Sequence, residues 1–259
     1  MPRVARLSIA PVRGLGLQHP DAIELTESGV LNDRRFYLID AHGRLLDRLR
    51  IGALCRIFAR TDADATWLRL SFPDGRVIGG DVTLDEPVRT EIYNREAIGR
   101  VVGGPWAAAL SEFVGAPVLL VRCDKPGGTR IRPGETQVRN QVSLLSDGSL
   151  GELARQLGVE RVDGRRFRML IELEGAGPHE EDGWIGDCVR IGAAVVRPLG
   201  DVGRCVVTKC DPDTGTSDLD TLGALARYRR DGRTEPLPLG VYGEVVEPGR
   251  VSVGDAVGV

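Results

Sequence analysis

The stretch that decides this fold is residues 203–215, Gly-Arg-Cys-Val-Val-Thr-Lys-Cys-Asp-Pro-Asp-Thr-Gly. Cys205 follows an arginine and begins a short apolar run that predicts a strand over residues 205–209, closed by a turn-forming segment. A guanidinium beside a thiol favours the thiolate, the form that attacks electrophiles or binds a soft metal. A strand cysteine is also commonly an inert core residue. Local chemistry therefore leaves Cys205 open between a reactive site and a packing role.

Composition narrows the class of protein. The 259 residues are 42% hydrophobic with a formal net charge of -3, which suits one large or two small domains with real cores. No apolar run approaches the roughly 20 residues of a membrane span, and residues 1–6 contain no apolar signal core, so we expect a cytoplasmic protein without a membrane partner. No basic run is interleaved with aromatic residues, so nucleic-acid binding is not expected. Five scattered cysteines and three histidines predict neither a disulfide framework nor a histidine-built metal site.

The first half of the chain reads as short strands separated by turn signals. Strands are predicted over residues 35–39, 66–72, 88–93 and 117–123, a pattern typical of a barrel or sandwich. One helix is predicted over residues 106–114, with Gly115 as its stop.

The second half mixes helices and strands. Residues 124–134 break all periodicity and are interpreted as an interdomain crossing or a mobile loop. Ser149 and Glu152 form a predicted capping box for a helix that Gly158 ends. Further elements are predicted as follows: strands over 167–173, 189–197, 241–246 and 251–257, and a helix over 219–229.

Arg-Cys-Val-Val-Thr followed by Asp-Pro-Asp-Thr-Gly resembles the signature of the MOSC proteins, in particular the two-domain branch that includes the amidoxime-reducing components. The resemblance extends over nearly the whole chain, through Asp33-Arg34-Arg35, Glu181-Asp182-Gly183-Trp184 and residues 238–243. It implies a β-rich α+β fold: an N-terminal β-barrel domain over residues 1–122 and a mixed α/β, barrel-like MOSC domain over residues 135–259.

The resemblance also implies site residues. Cys205 would be the catalytic thiolate that binds molybdenum, and the molybdenum cofactor, a molybdopterin, would be held by Arg13, Arg34, Arg168, Ser146 and Arg204. A pyranopterin ends in a phosphate, so convergent guanidiniums make physical sense. Each arginine could instead be a solvated strand residue, and Ser146 could be a turn or helix-start residue.

The sequence departs from the family pattern at two places. The family's Lys-Ser is replaced by Arg13-Gly14, and its Pro-Asn by Met169-Leu170, which removes two polar partners of the pterin. Either the cofactor sits differently, or this branch has exchanged its ligand. The loop at 175–182 carries His179 and three carboxylates, and it is either a source of a proton donor or a solvated acidic loop.

The function implied by the resemblance is molybdenum-dependent reduction of an N-oxygenated small molecule. The chain contains no flavin, haem or iron–sulfur motif, so the electrons would come from an external donor protein. One alternative is a sulfur carrier or sulfurtransferase that uses a Cys205 persulfide. The other is a MOSC-fold module that has exchanged its ligand.

Overall fold

The structure is a computed structural model that describes residues 1–92, 96–124 and 141–259. Most of the regular structure is strand: β1 Arg3–Leu7, β2 Ala22–Leu25, β3 Phe36–Asp40, β4 Leu45–Leu46, β5 Phe58–Thr61, β6 Trp67–Ser71, β7 Val77–Asp81, β8 Thr83–Glu91, β9 Glu96–Gly103, β10 Val118–Cys123, β11 Val142–Ser146, β12 Ile171–Glu174, β13 Val189–Ile191, β14 Ala194–Gly203, β15 Pro238–Glu247, β16 Gly249–Ser252 and β17 Val257–Gly258. The α-helices are α1 Trp106–Val114, α2 Asp147–Leu157 and α3 Thr221–Tyr228. Short 3-10 helices span Gly52–Arg56, Gly164–Phe167, Glu180–Trp184 and Val206–Lys209. The β-rich α+β class is confirmed.

Two large sheets organise the described residues. A seven-stranded sheet has the order β1-β12-β11-β15-β14-β13-β17, and a five-stranded sheet has the order β4-β3-β10-β9-β8. The strands β5, β6 and β7 form a three-stranded antiparallel sheet, and β2 pairs with β16. The first half therefore supplies the five- and three-stranded sheets, and the second half supplies most of the seven-stranded one.

The chain's first strands belong to the sheet and core of the second half. β1 pairs antiparallel with β12, and β2 pairs with β16. Val4 and Leu7 are buried in one cluster with Trp184 and Val189. β1 lies in the seven-stranded sheet, whereas β3 and β4 lie in the five-stranded sheet. The chain therefore crosses from one sheet to the other after β1. The predicted domain limits at 122 and 135 remain predictions, and residues 125–134 of the predicted irregular segment lie outside the described residues.

The core of the first half confirms the helix predicted from apolar spacing. α1 begins at Trp106, ends at the left-handed Gly115, and buries Trp106 and Leu110 against Phe36 and Leu120. Burying side chains of this size contributes about 1.5–3 kcal/mol each. The strands predicted over 35–39, 66–72 and 117–123 are β3, β6 and β10; β8 occupies most of the predicted 88–93 strand, and Tyr93 lies outside the described residues.

Several strand predictions in the second half are wrong. The strand predicted over 251–257 is interrupted, because β16 ends at Ser252 and β17 begins only at Val257, whereas the strand predicted over 241–246 lies within β15. Residues 206–209 form a 3-10 helix because the Cys205 carbonyl accepts hydrogen bonds from both the backbone N–H and the Oγ1 hydroxyl of Thr208. The strand predicted over 167–173 begins only at Ile171. A 3-10 helix capped by the Asp163 carboxylate fills the start of that stretch, and the left-handed Arg168 ends it.

The capping residue of α2 was also predicted wrongly. Ser146, not Ser149, is the N-cap: its Oγ accepts from the Ser149 N–H at 3.1 Å, and the helix begins at Asp147. The Glu152 carboxylate is engaged by Arg155 instead of reaching back to the cap. The predicted strand over 189–197 is a hairpin of β13 and β14, and the predicted helix over 219–229 is α3.

Candidate functional site

A cavity of about 530 Å³ lies between the two halves of the chain. The first half contributes residues around Arg13, Arg34 and Arg48, and the second contributes Phe167, Arg168 and the segment 203–208. The lining contains five arginines and one carboxylate, Asp47; the arginines are Arg13, Arg34, Arg48, Arg168 and Arg204. Of the predicted site residues, the structure brings together Cys205, Arg13, Arg34, Arg168 and Arg204, while Ser146 lies elsewhere. Their roles remain predictions.

Cys205 offers an exposed thiol at the wall of this cavity. It is the residue immediately before the 3-10 helix Val206–Lys209, in extended backbone conformation. Cys55, Cys123 and Cys210 are buried, and the exposed Cys188 lies outside the cavity with its sulfur 3.4 Å from an Arg197 nitrogen. Exposure therefore separates Cys205 from the packing cysteines.

The segment that follows Cys205 is anchored by side-chain hydrogen bonds. Thr208 Oγ1 bonds Thr221 Oγ1 at 2.8 Å at the start of α3. Arg166 donates two hydrogen bonds of 2.6 Å to the Asp218 carboxylate, and it is almost fully buried. Arg166 therefore holds the loop after Cys205, whereas Arg168, two residues further along the chain, lines the cavity.

Arg34 and Arg168 connect the two halves at the cavity. Both have left-handed backbones, with φ of 50° and 53°, a conformation that is uncommon outside glycine. Arg34 Nη2 donates to the Arg168 carbonyl at 3.1 Å, and Arg168 Nη2 donates to the Leu15 carbonyl at 2.9 Å. These bonds fix the positions of two guanidiniums that the sequence places 134 residues apart.

The cavity is cationic: Arg34 is paired with Asp33, and Asp47 is the one carboxylate in the lining. Burial, together with the charges of Arg48, Arg34 and Arg13, lowers the pKa of Arg168 to about 9 against the opposing effect of Asp33. Arg168 therefore stays protonated at neutral pH, but it does so among like charges. An anion that entered the cavity would relieve this repulsion.

Arg48 is the residue that sequence reasoning missed. Its side chain is 3% exposed, and its Nε and Nη2 are buried without a hydrogen-bond partner among the described residues. A buried donor without a partner costs about 1–3 kcal/mol. Arg48 lies in the segment Leu45-Leu46-Asp47-Arg48, which matches no motif, so nothing in the sequence marks it as a site residue. An unpartnered guanidinium that lines a cavity is suited to bind an anion.

Arg204 has a different environment from the other four. Its Nε and Nη2 donate to the Leu239 carbonyl, Nη1 donates to the Phe167 carbonyl at 3.2 Å, and Nη2 also contacts Met169 Sδ at 3.1 Å. Four of its five N–H groups are therefore occupied. The geometry suits Arg204 to holding the backbone before Cys205 in place more than to binding a ligand.

Ser146 is fully buried and does not line the cavity. Its Oγ bonds Glu181 Oε2 at 2.7 Å, and Glu181 also accepts from Ser149 Oγ at 2.7 Å. Burial raises the pKa of Glu181, and its charge acts on Arg204. Ser146 and Glu181 thus form a buried polar cluster at the start of α2.

The departures from the family pattern have structural reasons. Gly14 has a φ of 86°, and a Cβ there would lie 3.2 Å from the Asp47 Cα, so a serine would be strained. Met169 and Leu170 are buried in the hydrophobic cores and do not line the cavity, so they do not make its wall less polar. His179 packs against Tyr228, with ring centroids 5.8 Å apart, and is also absent from the lining.

The donor set of the cavity fits a cofactor that brings most of its own metal ligands. Across residues 1–92, 96–124 and 141–259, no group of three or more His, Cys, Asp or Glu side chains is arranged to hold a metal ion. The cavity instead offers one exposed thiol and a cluster of guanidiniums, one of them buried and without a partner in the described part of the chain. A metal carried by an anionic organic ligand matches both features.

No helix of the described residues is long and apolar enough to cross a membrane.

Comparisons with known proteins agree with this geometry. The family model of the MOSC domain matches residues 103–258, and that of the MOSC N-terminal beta barrel domain matches residues 1–117. Mitochondrial amidoxime-reducing component 1 of Mus musculus is 28% identical over 98% of this chain and 81% of its own length. Mitochondrial amidoxime reducing component 2 of Macaca fascicularis is 33% identical over 98% of this chain and 82% of its own.

With a second kind of relative, the match spans a smaller share of that protein's length. Molybdenum cofactor sulfurase of Oryza sativa subsp. japonica is 26% identical over 80% of this chain, but the match spans only 28% of that protein. The predicted resemblance, with a β-barrel domain ahead of a MOSC domain, is confirmed. The chain belongs to the MOSC domain family and carries the MOSC N-terminal beta barrel domain.

Proposed function

We propose that this protein is a molybdenum-cofactor-dependent oxidoreductase that reduces an N-oxygenated small molecule with electrons from a separate donor protein. The observation that carries this conclusion is the pairing of an exposed thiol with an arginine-lined cavity in which Nε and Nη2 of the buried Arg48 have no partner among the residues that the structure describes. The names of the amidoxime-reducing relatives, which align along nearly the whole chain, support the same reaction class. We expect the reaction to take place in the cytoplasm.

The residues divide into holding and positioning roles. Cys205 Sγ would bind the metal as a thiolate, and the cluster of Arg13, Arg34, Arg48 and Arg168 would hold the anionic end of the pterin. When bound, the cofactor supplies a two-electron redox centre with a position open to substrate. Arg204 would orient the backbone that presents Cys205, and Ser146, as the N-cap of α2, would have a structural role.

The rest of the lining suits a small organic substrate. Leu49, Phe167 and Val207 give the cavity an apolar wall beside the guanidiniums. Leu49 is 41% exposed, so it lies where a ligand would enter from solvent. An apolar wall with a few convergent polar groups is the usual composition of a small-molecule site.

The proposed reaction can be measured directly. Protein produced in a molybdenum-replete host is supplied with benzamidoxime and a chemically reduced viologen in place of the natural donor. The substrate takes up two electrons and two protons, its N–O bond breaks, and benzamidine and water form. We expect turnover by the wild-type protein and by Cys188→Ser, and none by Cys205→Ser. Molybdenum-loaded protein that does not reduce any of a panel of amidoximes and N-oxides would contradict the proposal.

Sulfur transfer is the second candidate. The exposed Cys205 thiol and the match to a molybdenum cofactor sulfurase favour it. In that case Cys205 would carry a cyanide-labile persulfide and the purified protein would hold no molybdenum. A protein that carries neither persulfide nor molybdenum would instead be a MOSC module that has exchanged its ligand.

A further inference from the structure

A second cleft, of about 660 Å³, lies on the outside of the three-stranded sheet, separate from the Cys205 cavity. One wall is the segment 17–20, and the other is the solvent-facing side of β5 and β6. Its volume is in the range of small-molecule sites, which run from about 300 to 1,000 Å³.

Two arginines on this sheet face each other without neutralisation. Arg60 on β5 is in register with Arg69 on β6, so their side chains leave the same face from adjacent positions. Both are exposed, and neither has a hydrogen bond or an ion pair with any residue within 1–92, 96–124 and 141–259. The residues that line the cleft include no carboxylate. Like charges opposite each other destabilise a strand pair, so an anion between them would stabilise it.

The same cleft has an aromatic wall. Phe58 begins β5, is 48% exposed, and shares the solvent-facing side of the sheet with Arg60. Its ring packs on Gly16, where a Cβ would lie only 2.8 Å from two ring carbons. This contact fixes one side of the ring. An exposed, immobilised ring beside paired guanidiniums suits a ligand with a flat apolar body and an acidic group.

We propose that this cleft is a binding site for a small organic anion with an aromatic body, whose carboxylate lies between Arg60 and Arg69 and whose ring contacts Phe58. The site is independent of the proposed redox reaction, because it shares no lining residue with the Cys205 cavity. The lining hydroxyl of Ser71, opposite Phe58 in register, can add a hydrogen bond to the acid.

The test is ligand-observed fluorine NMR of the purified full chain with 4-fluorobenzoate and its neutral counterpart 4-fluorobenzamide. We expect binding of the benzoate, and binding of the benzamide weaker by about tenfold or more, because hydrogen bonds to a charged group are the stronger ones. The double variant Arg60→Gln with Arg69→Gln should lose the benzoate signal, and its relief of like-charge repulsion leaves folding intact. Arg161→Gln, an exposed arginine elsewhere on the surface, is the matched control and should bind as wild type does.

Each other outcome overturns the assignment. Equal binding of the two probes would show that charge is not recognised. Benzoate binding that survives in the double variant, but disappears in Arg48→Met, would place the anion in the Cys205 cavity instead. No benzoate binding by the wild-type protein at millimolar concentration would mean that the cleft is only a surface feature.

Discussion

Replacement of Arg48 by methionine should stabilise the cofactor-free protein while it weakens cofactor binding. Methionine fills a similar volume with no hydrogen-bonding groups, so it removes the two buried donors, Nε and Nη2, that have no partner. It also removes a like charge that lowers the pKa of Arg168. In the cofactor-bound protein, the same substitution removes a charged donor from the anion.

The Arg48 donors set the expected size of both effects, the gain in stability and the loss of cofactor binding. A buried polar group without a partner costs about 1–3 kcal/mol, and apolar replacement of buried charges can stabilise a protein by about 1–4 kcal/mol. We therefore expect Arg48→Met to raise the free energy of unfolding of the cofactor-free protein by about 2 kcal/mol. For a chain of this size that is about 4–8 °C in melting temperature. Loss of one charge-assisted interaction with the anion should weaken cofactor binding by about tenfold to a hundredfold.

The assay is urea unfolding of cofactor-free protein together with molybdenum content after expression in a replete host. Arg161→Met is the control for removal of an arginine, because Arg161 is exposed, and its unfolding free energy should stay within about 0.5 kcal/mol of wild type. Arg48→Lys keeps the charge and should retain more molybdenum than Arg48→Met. If Arg48→Met destabilised the cofactor-free protein and left its molybdenum content unchanged, Arg48 would be a structural residue.

Three further outcomes are expected. Cys205→Ser should lose bound molybdenum and activity with an unchanged melting temperature, because the thiol is exposed, whereas Cys188→Ser should keep all three. Arg166→Met should lower the free energy of unfolding by about 1–3 kcal/mol, since it removes two charge-assisted hydrogen bonds to Asp218, while Arg250→Met, from an exposed ion pair, should change it by less than about 1 kcal/mol in urea unfolding. Burial raises the pKa of Glu181 above its ordinary 4.5, so the stability that this group contributes is present below pH 4.5 and is lost as pH rises through the folded-state pKa. Glu181→Gln should therefore remove part of that decline in unfolding free energy between pH 4.5 and neutrality, and an unchanged pH profile would contradict it.

Sequence reasoning succeeded where local signals decide structure. The helix Trp106–Val114 was predictable because its apolar face and its stop at Gly115 lie within ten residues. The stretch 205–209 was not, because a short apolar run suggested a strand while hydrogen bonds from Thr208 to the Cys205 carbonyl wind it into a 3-10 helix. Such side-chain bonds compete with strand pairing and leave little trace in hydrophobic periodicity.

The same distinction applies to the candidate site. The motif around Cys205 and the arginines that belong to family segments could be found by resemblance. Arg48 could not, because its importance arises from burial beside Arg168, which comes from the other half of the chain. The integration of β1 into the second half's sheet was equally invisible, since strand pairing over such separations depends on the tertiary fold.

The most direct test is elemental and pterin analysis of the full chain purified from a molybdenum-replete host. The account predicts roughly one molybdenum atom and one pterin per chain for wild type, and loss of the metal in Cys205→Ser, because one thiolate is the proposed protein ligand. It also predicts lower pterin content in Arg48→Met. Wild-type protein that contains neither molybdenum nor pterin would contradict the central claim, and a cyanide-labile sulfur on Cys205 would then establish the sulfur carrier in its place.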